Sequence, residues 1–262
     1  MFFQKTHKIR AKRNGELTVL WSDYFYFILA IMACLAFSLM ASGRVKSTFR
    51  KYDSRPCRSG LTGREVALRL LKREGASDIS VGHVKGMLSD HYHPVKGVVN
   101  LSDSTYDRSS VAAVAVAAHE IGHVMQKKEG YALYRLRTAL VPVVNFGRFL
   151  ALPLVLVGLL LDVLAVMSDP NTGFYIAMVG VLLYGGSFFF ALVTLPVEWN
   201  ASKRAKEMLL VNGVLTGEEL PAASEVLSAA ALTYLASLLT SLVYFLRFLF
   251  YVLALFGRRS RR

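Results

Sequence analysis

Cysteine is nearly absent: Cys34 lies inside an apolar run and Cys57 in a polar segment. Two such thiols build no disulfide framework, and the lack of any C-x-x-C pair excludes a metal held by paired cysteines. So few cysteines are compatible with a reducing compartment. Acidic residues are also scarce, 18 against 31 Lys and Arg, for a net charge of +13. In a soluble domain that imbalance would point to nucleic acid. No nucleic-acid-binding motif accompanies it, so nucleic acid is not an expected partner. Internal repeats and low-complexity tracts are missing as well.

What the chain has in abundance is apolar length. Of its 262 residues 54% are hydrophobic, and the mean hydropathy is +0.41. That is the composition of a membrane protein, and Lys and Arg flanking apolar spans find their partner in the anionic headgroups of a lipid bilayer. Four runs reach the roughly 20 apolar residues that a bilayer requires. They are about Tyr24 to Ser42, Val141 to Met167 with Arg148 and Asp162, Gly173 to Val197 with no charge, and Ala229 to Phe256 interrupted by Arg247. Thr233, Ser237, Thr240, Ser241 and Tyr244 share one face of the fourth run, which is expected to pack on other helices rather than on lipid. A signal peptide competes as a reading of the first run, since KIRAKR precedes it and ASG follows. The long lead-in and full span length favour an uncleaved anchor.

Between the first two spans lies a polar stretch of mixed character. Thr62 is placed to cap a helix with Val66, Leu70 and Leu71 as its apolar stripe, and Gly75 to end it. DISVGHV and GVVNLS read as strands, with DHYHPVKG as the turn-rich link between them. A long helix is then expected from Ser104 to about Lys128, on the capping-box spacing of Ser104 and Asp107, with Gly130 beyond its end. The segment from Glu198 to Ser228 reads as helical, and Thr216 and Glu219 repeat the capping spacing.

The chemistry-bearing motif is HEIGH, residues 119–123, within AVAAHEIGHVMQ. On a helix, positions i and i+4 share a face, so His119 and His123 can grip one Zn²⁺ while Glu120 reaches a water beside it. The small apolar run before the motif puts the imidazoles in a buried place, where each needs a partner. Two core histidines bonded to backbone carbonyls are the bland alternative.

A catalytic zinc takes a third protein ligand. Glu129 stands where the extended pattern HExxHxxGxxH has its last ligand, but Gln126 replaces the glycine that would turn the chain back. His91 and His93 alternate as on a strand face, although a solvated loop explains them equally. Glu198 has a topological argument: a chain that enters the membrane after HEIGH and crosses twice returns to the same side, and Glu198 appears at that return. The competing role for Glu198 is an interfacial carboxylate paired with Lys203 or Arg204. Position alone leaves both open.

The stretches VKSTFRKY, SGLTGREVA, DHYHP, SVAAVAVAAHEIGHVMQ, LRTALVPVVNFG, LVTLPVEWNASKRA and AALTYLASLLTSL, in this order and spacing, resemble the YugP-type neutral zinc metallopeptidases of bacterial membranes. The resemblance covers nearly everything beyond the first twenty residues. It implies a multi-pass protease of the bacterial inner membrane with one Zn²⁺ per chain, His119, His123 and Glu198 as ligands, and Glu120 as catalytic carboxylate. It also implies a peptide or membrane protein as substrate. The wider gluzincin group often carries an aspartate four residues after the third ligand; here Ser202 stands there. The basic lead-in KTHKIRAKR is longer than expected, and DHYHP replaces the more usual DHYDP.

The expected fold is mainly α: about four transmembrane helices and a small α+β zincin-like region at the membrane surface. By segment this gives a basic tail and first span (1–43), a catalytic region (44–140), a transmembrane hairpin (141–197), an extramembrane helical segment with the third ligand (198–228), and a fourth span with a basic tail (229–262). Arg204, Tyr131 and His91 are candidates for stabilising the oxyanion, and GVVNLS for pairing with an extended substrate. Arg135 and Arg137 before the hairpin, and Lys203, Arg204 and Lys206 after it, place the site on the cytoplasmic side. The basic tails argue the other way. A non-catalytic scaffold with a structural zinc is the alternative function.

Overall fold

Helix and turn signals at residues 62–75 act locally. A computed structural model, which describes residues 2–164 and 172–257, forms α2 at Gly63–Arg73 with the complete reciprocal capping box of Thr62 and Glu65. Val66, Ala67, Leu70 and Leu71 are its buried stripe. Gly75 follows at φ +66, a left-handed conformation that costs a glycine nothing. Before α2 comes α1, Phe2–Asp53. After it come three strands, β1 (Ser80–Val84), β2 (His91–His93) and β3 (Val98–Ser102). Four long helices complete the chain: α3 (Val111–Lys128), α4 (Ala132–Leu164), α5 (Thr172–Val211) and α6 (Leu220–Gly257). Residues 165–171 of the expected hairpin and most of the C-terminal basic tail lie outside the described residues.

The sheet order is β1-β3-β2, with β1 parallel and β2 antiparallel to β3. This corrects two expectations. The DHYHP link holds a strand of its own. The GVVNLS strand is central, paired on both sides, and therefore offers no edge to a substrate.

The long helix begins at Val111 rather than at Ser104. Its cap is Ser110, whose hydroxyl accepts from the Ala113 N–H and donates to Asp53. Val111 N–H donates to the Arg55 carbonyl, and Arg108 pairs with Asp53 at 3.0 Å. The end of α1 thus holds residues 108–111 extended. The Ser104 hydroxyl is occupied elsewhere, with Ser102 and the Leu88 N–H.

Among the described residues three helices are long and apolar enough to cross a membrane, at Phe25–Asp53, Thr172–Val211 and Leu220–Ala254. The second expected span differs: α4 bends by 46° between Ala132–Gly147 and Phe149–Gly158, and makes a fourth crossing if that bent pair is one span. Pro153 explains the bend, because its ring removes an N–H and clashes with the carbonyl four residues back, at the break. Leu35 and Leu39 of α1, Phe149 and Leu156 of α4, and Leu182 of α5 are exposed. Such an outward apolar surface suits lipid rather than water. Helix α5 does not break at Glu198; it carries that residue through to Val211, and a turn at 212–219 separates it from α6.

The extramembrane core gathers α2, α3 and the sheet with the end of α5 and the start of α6. Val66, Leu70, Leu101, Ala118, Ile121 and Leu209 are fully buried there. Helix α3 lies against α5 at close range. A Cβ on Gly122 would stand 2.6 Å from the carbonyl oxygen of Ala201, so the glycine inside HEIGH is what lets the two helices approach.

Candidate metal centre

That approach brings three donors from two helices to one point. Oε2 of Glu198 lies 3.2 Å from Nε2 of His119 and 3.4 Å from Nε2 of His123. All three ligand atoms fall within 4.8 Å of one another. Tetrahedral zinc with bonds of about 2.0–2.1 Å holds neighbouring donors about 3.3–3.4 Å apart. The donor set and its spacing therefore fit a zinc ion. The side chains are 14%, 10% and 3% exposed for His119, His123 and Glu198, a depth at which an unpaired charge or imidazole is costly.

The far nitrogens of the rings are held too. Nδ1 of His119 lies 3.1 Å from the Ser202 hydroxyl. Nδ1 of His123 lies 3.0 Å from Oε1 of Gln126. Such outer contacts set the tautomer and aim of a ligating histidine. Arg137 is a further partner of Glu198, with Nη2 3.4 Å from Oε1.

Glu120 is buried beside the cluster. Burial pushes its carboxyl up, helped by the carboxylates of Asp90 and Glu198 and opposed by His119 and the Tyr92 N–H, to about 7. A carboxyl beside the two imidazoles is placed to take up and release a proton. His119 and Glu120 open on a cavity of about 170 Å³ that Asp90, Phe49, Leu88 and Tyr234 also line.

The other candidates are placed differently. Glu129 caps the end of α3 and pairs with Arg204 at 2.7 Å. Lys203 pairs with Glu207 at 3.9 Å. Neither Lys203 nor Arg204 is thus the partner that Glu198 takes. His91 on β2 contacts the Ser89 carbonyl and the Asn100 amide, and His93 accepts from the Lys96 N–H. Among the described residues only His119, His123 and Glu198 form a cluster of metal-binding type. Gln126, Arg137, Asp90 and Tyr234 were not foreseen. Gln126 had a local signal, being three residues after His123 on the same helical face; Arg137 and Tyr234 come from other helices and had none.

The class is now defined: a mainly helical, membrane-associated chain with an H-E-x-x-H helix and a carboxylate delivered beside it. The family model described as "Putative neutral zinc metallopeptidase" matches residues 26–253, and the chain belongs to that family. It is 42% identical over 222 residues to the "Putative membrane protease YugP" of Bacillus subtilis (strain 168), covering 85% of this chain and 94% of that protein. No solved structure matches. Family and relative together support a protease role and a membrane location.

Proposed function

We propose that the chain is a multi-pass, membrane-bound zinc metalloendopeptidase in which His119, His123 and Glu198 hold one zinc ion per chain. The observation that carries this reading is the convergence of both Nε2 atoms on one Glu198 oxygen at 3.2 and 3.4 Å. When bound, zinc supplies a Lewis acid that makes water a competent nucleophile near neutral pH and polarises the scissile carbonyl. Glu120 takes the proton of the attacking water and returns it to the leaving amine. Ser202 and Gln126 hold the two rings in place, and Arg137 fixes the second oxygen of Glu198. Tyr234, rather than Arg204 or His91, is the donor for the developing oxyanion, because it lines the cavity of His119 and Glu120 with its hydroxyl beside Glu198. Arg204 and His91 are engaged elsewhere. A structural zinc normally closes with a fourth protein ligand, and the described residues offer three. This favours an enzyme over a scaffold. The region around α3 and the sheet is zincin-like in this reading, the substrates are peptides or membrane proteins, and Arg135, Lys203 and Lys206 near the ends of the central helices favour a site facing the cytoplasm.

The test compares wild type with Glu120→Gln for zinc content and for hydrolysis of an unstructured polypeptide such as casein. Both proteins should hold one zinc per chain, and only the wild type should cleave, with cleavage abolished by a chelator. Full activity in Glu120→Gln would remove that residue from the mechanism, and a zinc-free wild type would end the reading.

A further inference from the structure

A second, larger cavity of about 490 Å³ lies between the long helices. It is lined by Ser38 of α1, Asn145 of α4, Ser187 of α5, and Ser237, Thr240 and Ser241 of α6. Hydroxyls are an unusual lining at the depth of an apolar bundle, and each calls for a partner. Four of them give their hydrogen to a carbonyl of their own helix: Ser38 to Cys34, Ser237 to Thr233, Thr240 to Ala236 and Ser241 to Leu238. Their oxygens keep lone pairs to offer. The Ser187 hydroxyl is buried with no hydrogen-bond partner. The wall is therefore rich in acceptors.

The cavity lies along the same helix faces as the proposed catalytic centre. On α6, Ala230 and Tyr234 line the Glu120 cavity, and Ser237, Ser241 and Tyr244 extend the same helical stripe into the larger one. On α5 the larger cavity lies below Glu198, at Ala191 and Ser187; on α4 it lies beyond Arg137, at Val141 and Asn145; on α1 it lies before Val45, at Ser38. Helices α1 and α6 line both cavities, and α4 and α5 lead from Arg137 and Glu198 to the larger one. Helix α1 packs on α6, α6 on α5 and α5 on α4, whereas α1 and α4 share no comparable interface among the described residues. The four helices form a curved row with the cavity on its inner side and the gap between α1 and α4 as its flank.

We infer that this groove receives an unwound segment of a membrane-spanning protein, which enters from the lipid between α1 and α4 and is led to Glu120. The inference rests on the peptidase reading of that site. An intact helix has given its N–H groups to its own carbonyls and would leave these acceptors unused. An unwound backbone in lipid has exposed N–H groups that need the acceptors of this wall. An acyl chain has no hydrogen to donate and would leave those oxygens unpaired.

The test uses full-length Glu120→Gln in liposomes with a benzophenone amino acid at position 145. The probes are two single-span peptides of about 20 apolar residues, one of leucine and one interrupted by a central Gly-Pro. Cross-linking should favour the interrupted peptide severalfold; equal labelling of both, or labelling of lipid alone, overturns the inference. A second arm uses the catalytically intact chain carrying Ser187→Ala and Thr240→Val, changes that keep volume and remove acceptors. The ratio of interrupted-peptide to casein cleavage should fall about tenfold, as the loss of two hydrogen bonds predicts. A wild-type ratio overturns the inference. If the unmodified chain cleaves neither substrate yet the cross-linking preference holds, the peptidase reading fails and the groove stands. If casein is cleaved with no preference in cross-linking, the groove fails alone.

Discussion

Oε1 of Gln126 sits 3.0 Å from Nδ1 of His123, and the amide cannot present its nitrogen there instead. Arg204 can only donate, and its Nε donates to Oδ1 of Asn200 at 2.8 Å. That same oxygen is 2.9 Å from Gln126 Nε2, which also donates to the Val197 carbonyl at 2.7 Å. Gln126 is left with an acceptor for the ring, so His123 carries its hydrogen on Nδ1 and turns the Nε2 lone pair to Glu198. A chain from Glu129 through Arg204, Asn200 and Gln126 therefore sets the tautomer that a metal needs.

Gln126→Ala removes the acceptor at the end of this chain. Zinc affinity should fall about 10- to 100-fold, the usual cost of losing an outer partner of a ligating histidine. Gln126→Glu keeps the acceptor for the ring but sets its other oxygen against the Val197 carbonyl and Asn200 Oδ1, so it should recover part of the affinity at a cost in stability. Competition with a fluorescent chelator measures both. Unchanged binding by Gln126→Ala would show that the ring needs no such orientation.

Gly122→Ala tests the helix contact. The added Cβ meets backbone, the Ala201 carbonyl oxygen at 2.6 Å and its Cα at 3.1 Å, so no side-chain rotation relieves it. Overpacking of this kind costs about 1–3 kcal/mol, and any relief separates α3 from α5, hence the histidines from Glu198. A lower melting temperature together with at least about tenfold weaker zinc binding is expected. Wild-type values in both measurements would mean that the contact does not position the site.

The parts of this molecule that sequence made legible are those whose causes are local or topological. Thr62 and Glu65 cap α2 within one turn of chain, and HEIGH reads as one helical face because its residues are four apart. Counting two crossings made Glu198 a candidate for that face but did not decide it against an interfacial pairing. The start of α3 was misread because Ser110 takes its role through Asp53, 57 residues away. Strand β2 is three residues long, too short to show a period, and its partner β3 decides its existence. Arg137, Asn200 and Tyr234 join the site through helix packing, which leaves no periodic trace beside the motif.

Glu219 sets a pH dependence of folding outside the metal site. Burial pushes its carboxyl up, but the N–H groups of Thr216 and Arg58 and the Thr216 hydroxyl outweigh that, and the net shift is downward. The bonds are 2.9, 2.8 and 2.9 Å long. A depressed carboxyl stabilises the fold above its unfolded pKa and loses that contribution as pH falls through the folded value. Nearby charge comes from Arg58, itself paired with Glu218 at 2.6 Å. Glu219→Gln should destabilise the protein by about 1.5–3 kcal/mol at pH 7, with the difference shrinking below about pH 4. Melting curves of both proteins across pH measure this; a difference that persists undiminished at pH 3 would assign the effect to packing rather than charge.

Ser202 is the position where this chain has a neutral partner for His119. Replacing it changes one thing at a time. Ser202→Ala removes the oxygen from Nδ1 and leaves a ring nitrogen without its partner, so zinc binding should weaken about tenfold. Ser202→Asp supplies an anionic acceptor, which makes the ring more basic and Nε2 a stronger donor. The same charge enters a site that already holds Glu198 and Glu120, and in the metal-free protein it is repelled by both. Zinc offsets that repulsion, so the aspartate should lower metal-free stability and raise zinc affinity together. Calorimetric melts with and without zinc separate the two effects. If Ser202→Asp binds zinc less tightly than the wild type, charge repulsion exceeds the gain in donor strength, and the serine is the better partner for this cluster.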